Sequence, residues 1–198
     1  MLSTIATPAA LATGSTRDQI LGVARRLIET RSYLGFSFQD VADAVGIRKA
    51  SLYHHFPTKE ALGIAVIRQA TQYFKDWDAA REREPQDALD SYFRMYRNTL
   101  KAGSGMCPAG SLAPGWDCIN EELRQAVQEL RQTQVLWLTG VLGALAPAGA
   151  RKKGAASVAS QASYVFSVCQ GALLASRMTG RVEDFDEAIA QLRSSLPG

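Results

Sequence analysis

Residues 38–56, FQDVADAVGIRKASLYHHF, decide the fold of this chain. They read as two short helices joined by a sharp turn. Ser37-Phe38-Gln39-Asp40 has the form of a capping box with a shorter acid, so Ser37 opens the first helix. Ala42 is small where two crossing helices must touch. Four positions later, Gly46 supplies the positive φ that the turn needs. Ile47 and Leu52 then pin the second helix to the first, facing Val41 and Val45. This is the pattern of a helix-turn-helix, whose second helix enters the major groove of DNA. A plain helical hairpin inside a core is the other reading of the same spacing.

The second helix, residues 48–55, carries Arg48, Lys49, Ser51, Tyr53 and His54. Arg and Lys donate to guanine O6 and N7 or neutralise phosphates, Ser does either, and Tyr bonds a phosphate or touches a thymine methyl. Pro57-Thr58-Lys59-Glu60 starts a further helix with Thr58 as cap, which lets the Lys59 ammonium and the helix N-terminus meet one phosphate. His54 and His55 point about 100° apart on a helix, and no Cys lies near them. Neither a metal site nor a cofactor is expected.

Outward from this unit, helical spacing continues and strand-like alternation is nearly absent. From a cap at Ser15 or Thr16, Ile20, Ala24, Leu27 and Ile28 share one face, with Arg25, Arg26 and Glu29 mostly on the far side. That helix should end around residues 30–33. The helix capped by Thr58 should reach about Arg83, where Pro85 stops it. Further helices are expected at residues 86–101, 120–146, 154–179 and 184–195. Residues 103–115 hold four Gly and two Pro and should form a loop or broken helix, and residues 147–153 a linker. The fold class is all-α: a flexible arm over residues 1–15, a three-helix DNA-binding head over 16–62, and a larger helical body over 63–198.

Composition agrees with a globular protein. Of 198 residues, 46% are apolar and 21% charged, which argues against wholesale disorder. The least polar stretch, residues 135–150, is broken by Thr139 and Pro147 and is too short to span a bilayer, so no membrane contact is expected. The N-terminus has no basic residue and carries Pro8 where an apolar signal core would run. With three cysteines and no export signal, a reduced, cytoplasmic location is expected. The net charge of +3 is only a faint pointer to an anionic partner. Residues 16–61 hold seven Lys/Arg against five Asp/Glu, so the basic field is local to Arg48 and Lys49.

The run GFSFQDVADAVGIRKASLYHHFPTKEALG closely resembles the DNA-binding head of TetR-family bacterial transcriptional regulators. Ser37, Val41, Ala42, Gly46, Ile47, Ala50, Ser51, Leu52, Tyr53, His55, Phe56, Lys59 and Leu62 match the family pattern. Ser32-Tyr33 departs from it, since the family often has Gly before an aromatic there. The resemblance implies a homodimer that binds a palindromic operator, usually as a repressor, and leaves it when a small molecule enters the body. Its DNA-binding set here would be Ser37, Arg48, Lys49, Ala50, Ser51, Tyr53, His54 and Lys59.

In the body, Leu89, Phe93, Tyr96 and Leu100 form one stripe, and Leu123, Val127, Leu130, Leu138, Val141 and Leu142 extend others. Such stripes are ordinary core. The family's cavity lies among these helices, and Tyr92, Tyr96, Trp116, Trp137 and Tyr164, with Cys107, are the candidates to line it. Aromatic walls with a few polar tips suit a small apolar or aromatic ligand. The last two helices are rich in Gly, Ala and Ser, which suits either internal packing or the family's dimer interface; the dimer is the expectation. Cys107 and Cys118 frame a Gly- and Pro-rich loop resembling that of electrophile-sensing TetR regulators. Cys107 is therefore either a packing residue or the trigger of an alternative redox or electrophile switch. Both histidines lie in the head, away from either thiol, so an enzyme is not expected. A helical small-molecule-binding protein without DNA function is the more distant alternative.

Overall fold

The computed structural model describes residues 14–80, 82–101, 103, 106–146 and 155–196, with the side chains of 155–157 excepted. The expected arm through residue 13 and the expected linker at 147–153 lie outside the described residues. So do Gly154 and the side chains of Ala155, Ala156 and Ser157 from the small-residue set. Among the described residues the fold is all helical, with no strand.

Three helices form the head: α1 (Thr16–Arg31), α2 (Phe38–Val45) and α3 (Lys49–His55). Ser15 caps α1 in a reciprocal box with Asp18, and Ser37 caps α2 in the same way with Asp40. The two orphan donors at each start are thereby satisfied, and the shorter acid suffices. The Ser37 hydrogen bonds, led by its side chain, hold the Asp40 carboxyl below the usual carboxylate range. At the other end of α2, Gly46 adopts φ 80, and its N–H donates to the carbonyls of Ala42 and Asp43. A Cβ would be strained in that left-handed conformation. Ala42, Val41 and Leu52 are fully enclosed, as two closely crossed helices require.

The turn between α1 and α2 departs from the family pattern at a cost. Ser32 has φ 61 and ψ 168, a region essentially confined to glycine. Ser32→Gly should raise the unfolding free energy by about 1 kcal/mol, the relief of strain being partly offset by greater freedom in the unfolded chain. Urea denaturation checks this; equal or lower stability of the variant contradicts it.

Five helices follow: α4 (Lys59–Ala79), α5 (Pro85–Lys101), α6 (Glu121–Leu145), α7 (Ala155–Thr179) and α8 (Glu183–Ser195). Thr58 and Asn120 cap α4 and α6 through their side chains. α4 ends earlier than the expected Arg83, because Arg83 folds back. Its guanidinium lies over the Trp77 ring and donates to the Trp77 carbonyl at 3.2 Å, satisfying an end-of-helix acceptor. Pro85 then takes the first position of α5, where its missing N–H costs nothing. The Gly- and Pro-rich region contains a 3-10 segment, Gly110–Cys118, distorted at Gly115.

α4 belongs to both parts, packing on α1 in the head and on α6 in the body. Gly63 permits that approach: a Cβ there would meet Tyr33 at 3.0 Å and Leu123 at 3.1 Å. α7 packs between α6 and α8, with Ala162, Val165, Phe166, Cys169, Ala172 and Leu173 turned into the core. Within it, Val158–Thr179, and not residues 135–150, is the segment long and apolar enough to cross a bilayer by length and composition alone, at a mean hydropathy of 1.2. Packing on α6 and α8 accounts for one face only, since 33% of that window is buried within the chain.

α8 is tied to α5 by Arg97, whose Nε and Nη2 each donate to the Asp186 carboxylate at 2.7 Å, and by Arg193 with Asp90. The Arg97 hydrogen bond holds the Asp186 carboxyl below its usual range. A carboxyl depressed in the folded state stabilises it above the unfolded pKa of about 3.9, and this is lost as pH falls through the folded value. Asp186→Asn should therefore lose less stability than the parent between pH 5 and pH 3. Thermal melts across that window decide it; parallel acid limbs contradict the assignment.

Candidate nucleic-acid interface and effector cavity

α3 presents one exposed edge to solvent. Arg48 is its N-cap and Lys49 its first residue. Both are exposed, and neither has an acidic partner among the described residues. Ala50, His54 and His55 are also exposed, and Ser51 is partly so. Tyr53 is half exposed, with its ring resting on Phe38 at 5.1 Å and its hydroxyl end outward. The fold thus brings together Arg48, Lys49, Ala50, Ser51, Tyr53 and His54 on the element that a helix-turn-helix offers to the major groove. Ser37, the exposed N-cap of α2, spends its hydroxyl on Asp40, accepting from its N–H at 3.3 Å and donating to Oδ2 at 2.6 Å.

Lys59 differs from the sequence expectation. Its ammonium does not point outward to a phosphate. It donates to the Phe36 carbonyl and sits 4.3 Å from the Phe36 ring centroid and 4.7 Å from that of Tyr33. Partial burial lowers its pKa. The long Lys59 side chain reaches the Phe36 carbonyl, 23 residues earlier in the chain, so Lys59 clamps the α1–α2 connection onto α4.

Behind the head lies a cavity of about 150 Å³ whose walls come from α1, α4, α5, α6 and the segment after α5. Tyr73, Phe74 and Trp77 of α4 face Met95, Tyr96 and Thr99 of α5. Leu130 and Gln134 of α6, Cys107 and Pro108, and Arg25 and Glu29 of α1 complete it. Glu29 is buried here and not on the far side of α1. Its Oε1 accepts from Arg25 Nε at 2.8 Å, one helical turn away. The pair balances its own charge inside the wall.

Of the six sequence candidates for this cavity, Tyr96 and Cys107 line it. Tyr92 stands directly behind, fully buried, with Trp137 stacked on it at 5.4 Å and Trp137 Nε1 donating to Asp78 at 2.6 Å. Trp116 and Tyr164 do not reach it. Trp116 sits on the 3-10 segment, its carbonyl taken by Arg124, and Tyr164 is 54% exposed on the outer side of α7. Tyr73, Phe74 and Trp77 were missed although their aromatic clustering on one helix was visible in the sequence. Arg25 and Glu29 gave no signal beyond an i,i+4 charge pair. Burial, the dominant effect, pushes the Cys107 thiol up, against smaller opposing hydrogen bonds from Ala109, Gln170 and Gly110. A buried, protonated thiol is a poor nucleophile. This arrangement does not favour the electrophile switch.

Residues 20–66 match the family model described as bacterial regulatory proteins, tetR family. The HTH-type transcriptional regulator LmrA of Bacillus subtilis is 27% identical over 122 residues, covering 59% of this chain and 65% of that one. The HTH-type transcriptional repressor KstR2 of Mycolicibacterium smegmatis is 35% identical over 77 residues, 39% of this chain and 36% of that one. The chain thus spans less than two thirds of either relative's length. A TetR transcriptional regulator from Legionella pneumophila has a crystal structure similar to this one, with a TM-score of 0.82, 26% identity, and coverage of 93% of this chain and 99% of that. Head and body together have the architecture of a helix-turn-helix regulator. Residues of the head thus match the tetR family, and the chain as a whole shares the fold of TetR-family regulators.

Proposed function

We propose that this protein is a cytoplasmic repressor that binds a palindromic DNA operator as a homodimer and leaves it when a small apolar or aromatic molecule enters the cavity. The observation that carries the reading is the placement of α1. One side of α1 packs against α2 in the head, while Arg25 and Glu29 on another side line the cavity. At its C-terminal end, Arg177 of α7 donates to the carbonyls of Glu29 and Thr30. A ligand that presses on Glu29 therefore acts on the helix that carries α2 and α3. It needs only a preference for one head position to lower operator affinity.

The same reading assigns the dimer to the outer face of α7 and α8. On α7, Tyr164, Ser167, Gly171, Leu174 and Met178 recur at spacings of three and four and all face solvent in the single chain. Met178 is 78% and Leu174 48% exposed. By contrast, Ala172 and Leu173 are buried within the subunit and belong to its own core. A continuous exposed apolar stripe on the helix nearest α8 suits a symmetric four-helix contact.

Binding to a labelled duplex, followed by anisotropy at rising salt, tests the DNA part. Affinity should fall linearly in log–log form as released counterions accumulate. No binding at low salt would leave only a ligand-binding helical protein.

A further inference from the structure

Gln134 lies midway along α6, only 4% exposed, in the wall of the cavity. Its Oε1 accepts from the Tyr96 hydroxyl at 2.7 Å and the Tyr92 hydroxyl at 3.0 Å. The Tyr96 hydroxyl itself accepts from Gln170 Nε2 at 3.1 Å, so its own proton is the one given to Gln134. In this arrangement the amide oxygen of Gln134 faces the two phenols. Burial keeps both phenols protonated well above the usual range, so they remain donors. The Gln134 Nε2 group, on a side chain that lines the cavity, makes none of these hydrogen bonds and is open to a ligand acceptor. A ligand that places an acceptor there, away from bulk water, adds a hydrogen bond that an apolar ligand of the same shape lacks.

The remaining walls restrict the ligand further. Phe74, Trp77, Tyr96 and Met95 offer ring faces and a thioether. Glu29 is already matched by Arg25, so the cavity offers no unbalanced charge. A volume of about 150 Å³ is the size that one benzene ring fills. We propose that the effector is an uncharged, single-ring aromatic compound bearing a carbonyl group, with the carbonyl oxygen accepting from Gln134 Nε2. This rests on the cavity being the effector site.

Calorimetry on the full chain with acetophenone and with ethylbenzene, the same skeleton without the oxygen, tests it; benzylamine and benzoate are the charged controls. Acetophenone should bind at least tenfold more tightly than ethylbenzene. Gln134→Met keeps the volume and a weak acceptor for the phenols but removes the donor, and there the preference should fall below twofold. If that variant does not fold, the wild-type ratio decides. Equal binding of acetophenone and ethylbenzene overturns carbonyl recognition. Tighter binding of benzylamine or benzoate overturns the uncharged class, and no binding by any probe overturns the single-ring class. Anisotropy of the complex with a labelled duplex separates the two readings. Acetophenone that binds through Gln134 without releasing DNA would sink the effector role and leave the binding site standing.

Discussion

Arg48→Ala should weaken operator binding by about 1–3 kcal/mol if Arg48 makes a bidentate base contact, which is 5- to 150-fold in affinity. Arg48→Glu with Lys49→Glu should abolish specific binding at physiological salt. These residues sit at the very start of α3, exposed and without acidic partners among the described residues. Nothing inside the protein occupies them. The net surplus over the head is small, so little background attraction would compensate for reversing the two charges. Each phosphate contact removed should also lower the salt slope by about 0.9. The fold should be untouched, because Arg48 contributes only its backbone to the helix start. Anisotropy titrations across salt, with circular dichroism as the folding control, check both parts. Unchanged affinity in the double variant would remove α3 from the interface.

A pair of neighbouring positions gives the second large effect. Leu173 is 1% exposed and Leu174 48%; about 100° apart around α7, one faces the core and the other solvent. Leu174→Glu should leave the subunit folded and split the dimer, because two copies of an unpaired carboxylate would be buried across the symmetric contact. Leu173→Glu should instead unfold the subunit. An unpartnered charge in a close-packed core costs several kcal/mol, a large share of the total stability of a domain this size. Sedimentation at micromolar concentration and thermal melting of both variants distinguish the faces. A monomeric, folded Leu173→Glu, or a dimeric Leu174→Glu, would reverse the assignment.

The head was legible in the sequence nearly residue by residue. Its signals are local: Ser37 three positions before Asp40, Gly46 where only a positive φ closes the turn, Ala42 where two helices touch. The helix ends were equally local, and only α4 ran short of the expected end, where Arg83 folds back six residues onto the Trp77 carbonyl. The cavity was legible only in part. Tyr92 and Tyr96 follow from one apolar stripe, but whether a stripe residue lines a void or fills a core depends on helix crossing angles that one helix's periodicity does not contain. Tyr164 fell on the outer face of α7 for this reason. Glu29 is the clearest case. A charged residue beside an apolar stripe reads as solvated, and its burial depends on Arg25, on α4 and α5, and on Arg177 from a helix far along the chain. Lys59 matched the motif in sequence, yet its ammonium goes to the Phe36 carbonyl, 23 residues earlier in the chain.

The central claim is that two copies of this chain read DNA through paired α3 helices. Selection of binding sites from a random duplex library with the full-length protein tests it most directly. The account predicts enrichment of an inverted repeat whose half-sites lie about one helical turn, roughly 34–36 Å, or a multiple of it apart, so that two α3 helices meet major grooves on one side of the duplex. Enrichment of no sequence, or of a single unrepeated half-site bound by one chain, would contradict it.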